Sequence, residues 1–171
     1  MKFLIMSDNH GRHSLVQELV KAFQGQVDYF FHCGDSEFAA SDPIWQVFAG
    51  NVTGNMDFDA GYAQESVVET PVGRVLLVHG HRHQVNQSND LLLQIGLEDQ
   101  VQFIFHGHTH RLYSEYRQGI LMVNPGSLNH SRGPVNQTTF AIVTVEPDRY
   151  QVEFRDEEGK VLDGLTQVYA R

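Results

Sequence analysis

The chain has a single cysteine, Cys33, in 171 residues, so no internal disulfide can brace it. Disulfide frameworks belong to oxidising compartments, and their exclusion points to a cytoplasmic protein resting on an ordinary hydrophobic core. Basic residues are also scarce: 12 Lys plus Arg stand against 21 Asp plus Glu, a formal charge of −9 with histidines neutral. Non-specific nucleic-acid affinity is built on counterion release from a basic surface, so a long nucleic acid is a disfavoured partner. Phosphorylated small molecules are not excluded, because bound cations can reverse the local sign of an acidic site. No apolar run has the length to span a bilayer and no signal-like apolar segment is visible, so no membrane partner is expected. The patterns GxxxxGK(S/T) and GxGxxG are both missing, which counts against an ordinary nucleotide-binding domain. The length suits one domain over residues 1–171.

What the chain does have is ten histidines, three of them in the six residues "FHGHTH" at 105–110. "KFLIMS" reads as a buried strand that ends in the polar "DNHG". In "SLVQELVKAF", Leu15, Leu19, Val20 and Phe23 recur at helical spacing, and "DYFFHCGD" is a second strand running into Gly34 and Asp35. A turn or helix start falls near Pro43, then a short strand, then a polar loop at Gly54–Asp57. "ESVVETPVGRVLLVHGHRH" reads as a hairpin turning near Pro71–Gly73, and "NQSNDLLLQIGLED" as a short helix with Asn86 or Asn89 as its cap. "VQFIF" is again a strand, "YSEYRQGILMVNPGS" a hairpin, and "TTFAIVTVEPDRYQVEFRDEEGKVL" an antiparallel set. Mixed strands between helices are the expectation.

Five polar clusters follow or interrupt these apolar segments: Asp8 with His10; Asp35; Asn55 with Asp57; His79, His81 and His83; and His106, His108 and His110. Loops at the carboxyl ends of strands are where ligands collect in layered α/β folds, so all five can meet on one edge. On an extended backbone, Asp8 shares a side with His10, and His108 with His110, while His106 is turned away from His108. Carboxylates with imidazoles suit manganese, iron, zinc or nickel better than calcium, and the set is large enough for two ions sharing one carboxylate.

Each feature also has a purely structural reading. His79 can be a strand-end histidine satisfied by a carbonyl, and His13 and His32 are read as structural. Cys33 packs as a small hydrophobe in an apolar strand. His81, His83 and His130 have three readings: facing solvent, binding a phosphate, or holding a ligand's orientation. In "NPGS", Pro125 and Gly126 can simply turn the chain, while Asn124 and Ser127 can donate to a phosphate.

In order, "DNH", "GDSE", "GNMD", "VHGH" and "GHTH" resemble the motif series of the calcineurin-like metallophosphoesterase superfamily. "NPGS" and the short chain are similar to its small bacterial and archaeal phosphodiesterase branch. The resemblance implies an α+β fold, a four-layer α/β/β/α sandwich with two mixed β-sheets, and a centre of two divalent ions. It implies that Asp8, His10 and His110 hold one ion, that Asn55, His79 and His108 hold the other, and that Asp35 bridges them. It makes His106 a strand residue. Manganese is the first expectation, with nickel, iron or zinc as alternatives, and a homodimer or larger homo-oligomer is implied as well.

One position departs from the family pattern. Many members carry histidine after the asparagine of the third motif, where this chain has Met56. Methionine offers no proton and no useful hydrogen bond to a phosphoryl oxygen, which disfavours efficient monoester hydrolysis. The resulting expectation is hydrolysis of a small phosphodiester by a water or hydroxide bridging two divalent ions. Asp35 belongs to that catalytic group, and His81, His83 or His130 would protonate the leaving alkoxide. The alternatives are a phosphomonoesterase and a metal-binding protein-interaction module of the same fold.

Overall fold

The computed structural model describes residues 1–171. Its order begins with strand β1 (Lys2–Met6), helix α1 (His13–Phe23), β2 (Tyr29–His32), a 3-10 turn at Pro43–Val47 and β3 (Phe48–Asn51). The hairpin β4 (Glu65–Thr70) and β5 (Gly73–Val78) leads to α2 (Asp90–Glu98) and β6 (Phe103–Phe105). Then come β7 (Tyr113–Arg117), β8 (Ile120–Asn124), β9 (Thr139–Val145), β10 (Arg149–Asp156) and β11 (Gln167–Ala170).

These strands make two mixed sheets, ordered β11-β10-β9-β1-β2-β3 and β4-β5-β6-β8-β7. In the first, β1, β2 and β3 run parallel while β9 lies antiparallel to β1 on its other side. In the second, β5, β6 and β8 run parallel, with antiparallel hairpin partners at both edges.

Side chains alternate across each strand, and that period of two builds the layers. Phe3 and Ile5 enter the cluster between the sheets, together with Phe31, Leu77, Phe103, Phe105 and Val123. Leu4 and Met6 point the other way and pack with Val16, Leu19, Val20 and Phe23 of α1. On the second sheet, Leu76, Ile104 and Met122 likewise turn outward onto Leu92 and Leu93 of α2. The result is the expected stack of helix, sheet, sheet and helix. Phe3 stitches the two sheets by edge-on contacts to Phe103 and Phe105 of β6, with centroids 5.3 and 6.1 Å away.

The cap expected for α2 is replaced by another. Asn89 occupies the cap position but makes no side-chain cap bond, and Ser88 Oγ accepts from the Asp90 amide instead. The helix runs past Gly96 to Glu98, and a Cβ at this position would stand 2.6 Å from Ile104 Cδ1. Glycine there lets α2 lie close on β6. The short strand β11 has no counterpart in the sequence reading. No helix is long and apolar enough to cross a membrane.

Candidate metal centre

The parallel strands β1, β2, β3, β5 and β6 deliver their carboxyl ends to one rim, and the polar clusters follow at once. The backbone there is far from extended. Asp8, His10, Asp35, His108 and His110 have φ of 55°, 42°, 56°, 70° and 55°, in the left-handed region that non-glycine residues seldom enter. Such conformations cost roughly 1–3 kcal/mol each and persist where surrounding structure fixes them, typically at functional sites. Two glycines allow the loops to close up: a Cβ on Gly54 would collide with Asp35 Oδ1, and one on Gly107 with Ser7 Oγ.

The left-handed turns replace the extended geometry expected from the sequence. His108 and His110 do not share a side. His110 Nε2 lies 3.1 Å from Asp8 Oδ1 and 3.2 Å from His10 Nε2. His108 Nδ1 instead lies 3.0 Å from Asn55 Oδ1, which is also 3.2 Å from His79 Nε2. Between the two groups stands Asp35, whose Oδ2 is 3.3 Å from His79 Nε2 and 3.9 Å from His10 Nε2. Asp8, His10 and His110 form one cluster within ligand reach; Asp8, Asp35 and His79 form a second.

Hydrogen bonds fix which nitrogen of each ring points inward. His79 Nδ1 donates to Cys33 O at 2.7 Å, His110 Nδ1 to His130 O at 3.0 Å, and His10 Nδ1 to Glu37 Oε1 at 2.8 Å. Each Nε2 is thereby left as a lone pair aimed at carboxylate oxygens or at another lone pair. Asp8 Oδ1, fully buried, has no hydrogen-bond partner at all. Buried acceptors facing acceptors are costly unless a shared cation or proton sits between them. The donors therefore fit divalent metal, with outer partners on three imidazoles of the kind that orient metal ligands.

The electrostatics agree. Burial would push the Asp8 carboxyl up, but His110, His79 and Ser7 outweigh it and hold it at about 2. Asp35 is also lowered: burial opposes this, and His79 with the Met56 amide prevails. Burial would in turn depress His79, yet Asp35 and Asp8 raise it. The carboxylates are thus held ionised.

Three further residues hold the centre and were not picked out for this work from sequence. Glu37 fixes His10. Asn86 contacts His108 Nε2 at 3.3 Å through its side-chain amide. Asp57 accepts from the amides of Asp35, Gly54 and Glu37 at 2.7, 2.8 and 2.7 Å, clamping the two loops together. With Met56 beside it, that clamp is the work Asp57 does here.

The remaining sequence candidates separate. His81 lies near the second group, with ring centroids 5.4 Å from His79 and 6.2 Å from His108. The exposed His130 lies against the first, 4.5 Å from His110 and 6.4 Å from His10. Burial first, then neighbouring positive groups, lower both imidazoles. His83 is directed elsewhere: it is buried and bonded to Glu65 Oε1 at 3.0 Å, so its leaving-group role is withdrawn. Asn124 and Ser127 are also corrected, since both are buried with their polar atoms committed. Asn124 donates to Gly107 O and Thr109 Oγ1 and accepts from the Gly126 amide. Ser127 donates to Asp8 O and accepts from the amides of Asn129 and His130. They shape the loops that carry the ligands. His106 is buried just beyond β6 and apart from both groups, and His13 and His32 bond to Asp42 and Asn9.

A layered sandwich with paired sheets, presenting carboxylates and imidazoles in this arrangement at its rim, defines a metallophosphoesterase. The family model of the calcineurin-like phosphoesterase superfamily domain matches residues 1–148, and the chain belongs to that family, which implies divalent metal ions. The chain is 35% identical over 166 residues to the probable metallophosphoesterase YsnB of Bacillus subtilis, covering 96% of each. It is also similar to the crystal structure of a conserved protein from Streptococcus pneumoniae described as a predicted phosphoesterase. That match has a TM-score of 0.95 and 32% identity, over 99% of this chain and 97% of that one. A Vps29 complexed with zinc from Entamoeba histolytica shares the fold, with a TM-score of 0.73 and 19% identity over 100% and 98% of the two chains.

Proposed function

We propose that this phosphoesterase hydrolyses a small phosphodiester at a centre of two divalent ions. The observation that carries the two-ion reading is the pair of adjoining ligand groups around Asp35, each furnished with inward lone pairs. Asp8, His10 and His110 would hold one ion, Asn55, His79 and His108 the other, and Asp35 Oδ2 would serve both. Divalent ions there would lower the pKa of an attacking water and offset charge on the phosphoryl oxygens. Manganese suits the mixed oxygen and nitrogen donors, as do nickel, iron and zinc.

The preference for a diester rests on Met56. Its side chain is 42% exposed at the mouth, and it presents a thioether where a proton donor would help expel a monoester's leaving group. His81 and His130 flank the two groups, and either imidazole, in its protonated form, would supply the proton that the leaving alkoxide takes. A cytoplasmic homo-oligomer acting on free metabolites completes this reading.

The test is a matched pair of chromogenic substrates, a phosphodiester and its monoester, offered to metal-stripped protein before and after addition of manganese, nickel, iron or zinc. Metal-restored turnover favouring the diester is the expected result. A monoester preference overturns the diester assignment, and metal loading without turnover of either overturns hydrolysis of simple esters.

A further inference from the structure

Beside the centre lies a cavity of about 530 Å³, within the usual range of small-molecule sites. Two wall residues tie it to the ligands: Thr109 stands between His108 and His110, and Asn86 contacts His108. The wall also carries three arginines, 111, 117 and 132, in a chain short of cations. Arg117 is spoken for, with Asp90 and Glu115 each 2.8 Å away. Arg111 and Arg132 make no ion pair, although acidic residues outnumber basic ones in the chain.

The guanidinium of Arg111 and the backbone of Arg132 are held by loop contacts that also position the centre. Arg132 N donates to His110 O at 3.0 Å, His110 Nδ1 to His130 O at 3.0 Å, and Arg111 Nε to Arg132 O at 3.1 Å. Both arginines are therefore carried on the same loops as His110. His106, another wall residue, is 2% exposed and carries an Nε2 with no partner. Its Nδ1 faces both Gly107 O at 3.3 Å and Asn124 Nδ2 at 3.5 Å, which leaves Nε2 as the ring's one unpaired polar atom.

We propose that this cavity receives one ester arm of the substrate, and that Arg111 and Arg132 bind a second anionic group, a phosphate or carboxylate, carried on that arm. The inference rests on the diesterase reading and narrows its substrate class to diesters with a phosphorylated or carboxylated arm. Paired guanidinium forks match such oxyanions, and a concave wall strengthens the attraction relative to open water.

Calorimetry on manganese-loaded protein tests this with three probes: thymidine 5′-monophosphate, thymidine 3′,5′-bisphosphate, and a 5′-monophosphate bearing a 3′-O-carboxymethyl group. The bisphosphate or the carboxymethyl compound should bind at least about 10-fold tighter than the monophosphate, as expected for one or two charge-assisted contacts. Whichever binds tighter identifies the anion. In R111Q/R132Q that margin should vanish, and R111K/R132K should restore part of it. Equal affinity for all three probes, or a margin that survives R111Q/R132Q, overturns the proposal. The two readings fail separately. A margin carried by the arginines without diester turnover removes the diesterase reading and leaves the anion subsite, whereas diester turnover without a margin does the reverse.

Discussion

His10 Nε2 and His110 Nε2 lie 3.2 Å apart, each ring pinned through its Nδ1 and each lone pair directed at the same space. Asp8 Oδ1 adds a third acceptor 3.1 Å from His110. Without a cation this corner opposes folding, and with one it becomes a ligand set. Asp8→Asn is nearly isosteric and supplies an N–H to face His110. It should leave the thermal midpoint of metal-free protein unchanged or higher, while metal retention and turnover fall at least about 100-fold, the upper range for loss of even an outer partner. Thermal unfolding in chelator, set beside metal content, checks both halves.

Glu37 should matter although it sits outside the ligand set. Its carboxylate receives His10 Nδ1–H and so keeps Nε2 inward. Glu37→Ala is expected to cost about 10- to 100-fold in metal affinity, and Glu37→Gln less, since an amide oxygen still accepts that bond. Competition titration against a chelator reads the difference; equal losses in both variants would contradict an orienting role.

Gly107→Ala should damage the centre more than the fold. The added methyl would run into Ser7 Oγ and lie 2.6 Å from Asp8 Oδ2. Overpacking of this kind costs about 1–3 kcal/mol, and here the atoms pushed aside belong to a ligand and its support. A modest fall in urea midpoint with a disproportionate loss of bound metal is the expected pairing.

Acid should destabilise the protein well before its carboxylates titrate. Burial lowers His32 to about 4, with neighbouring carboxylates only partly opposing, and His106 is lowered to about 4 by burial as well. His32 Nδ1 accepts from the Gly34 amide while Nε2 faces Asn9 Oδ1, so a second ring proton has no acceptor. The unfolded chain takes that proton near pH 6.5 and the folded chain near 4. Stability is therefore full above about 6.5 and lost as pH falls toward 4, by on the order of 3 kcal/mol for each such histidine. Urea midpoints at pH 7 and pH 5 should separate in the native chain and move closer in His32→Gln.

Much of this centre is legible in the sequence because the strands are. Runs such as Phe3–Met6 and Val75–Val78 are apolar at every position, which marks strands buried on both faces, and polar clusters at their ends must then share a rim. Periodicity fails just past the strands. Left-handed turns at Asp8, His10, His108 and His110 break the alternation, so His108 and His110 part company despite their spacing. Residues that act through a hydrogen bond across loops leave no local signal either. Glu37 looks like any surface carboxylate and Asn86 like a helix cap until the fold brings them to His10 and His108. Asn124 and Ser127 fail in the opposite sense, since their polar chemistry is spent inside the loops. The strand β11, exposed and short, lacks the apolar alternation that would announce it.

The most direct test of the account is a count of metal ions per chain in protein loaded with manganese and freed of excess, for the native chain and for His108→Ala. Two ions in the native chain and one in the variant are the predicted result. A single ion in the native chain, or a count that His108→Ala leaves unchanged, would contradict the two-ion centre on which the proposed chemistry depends.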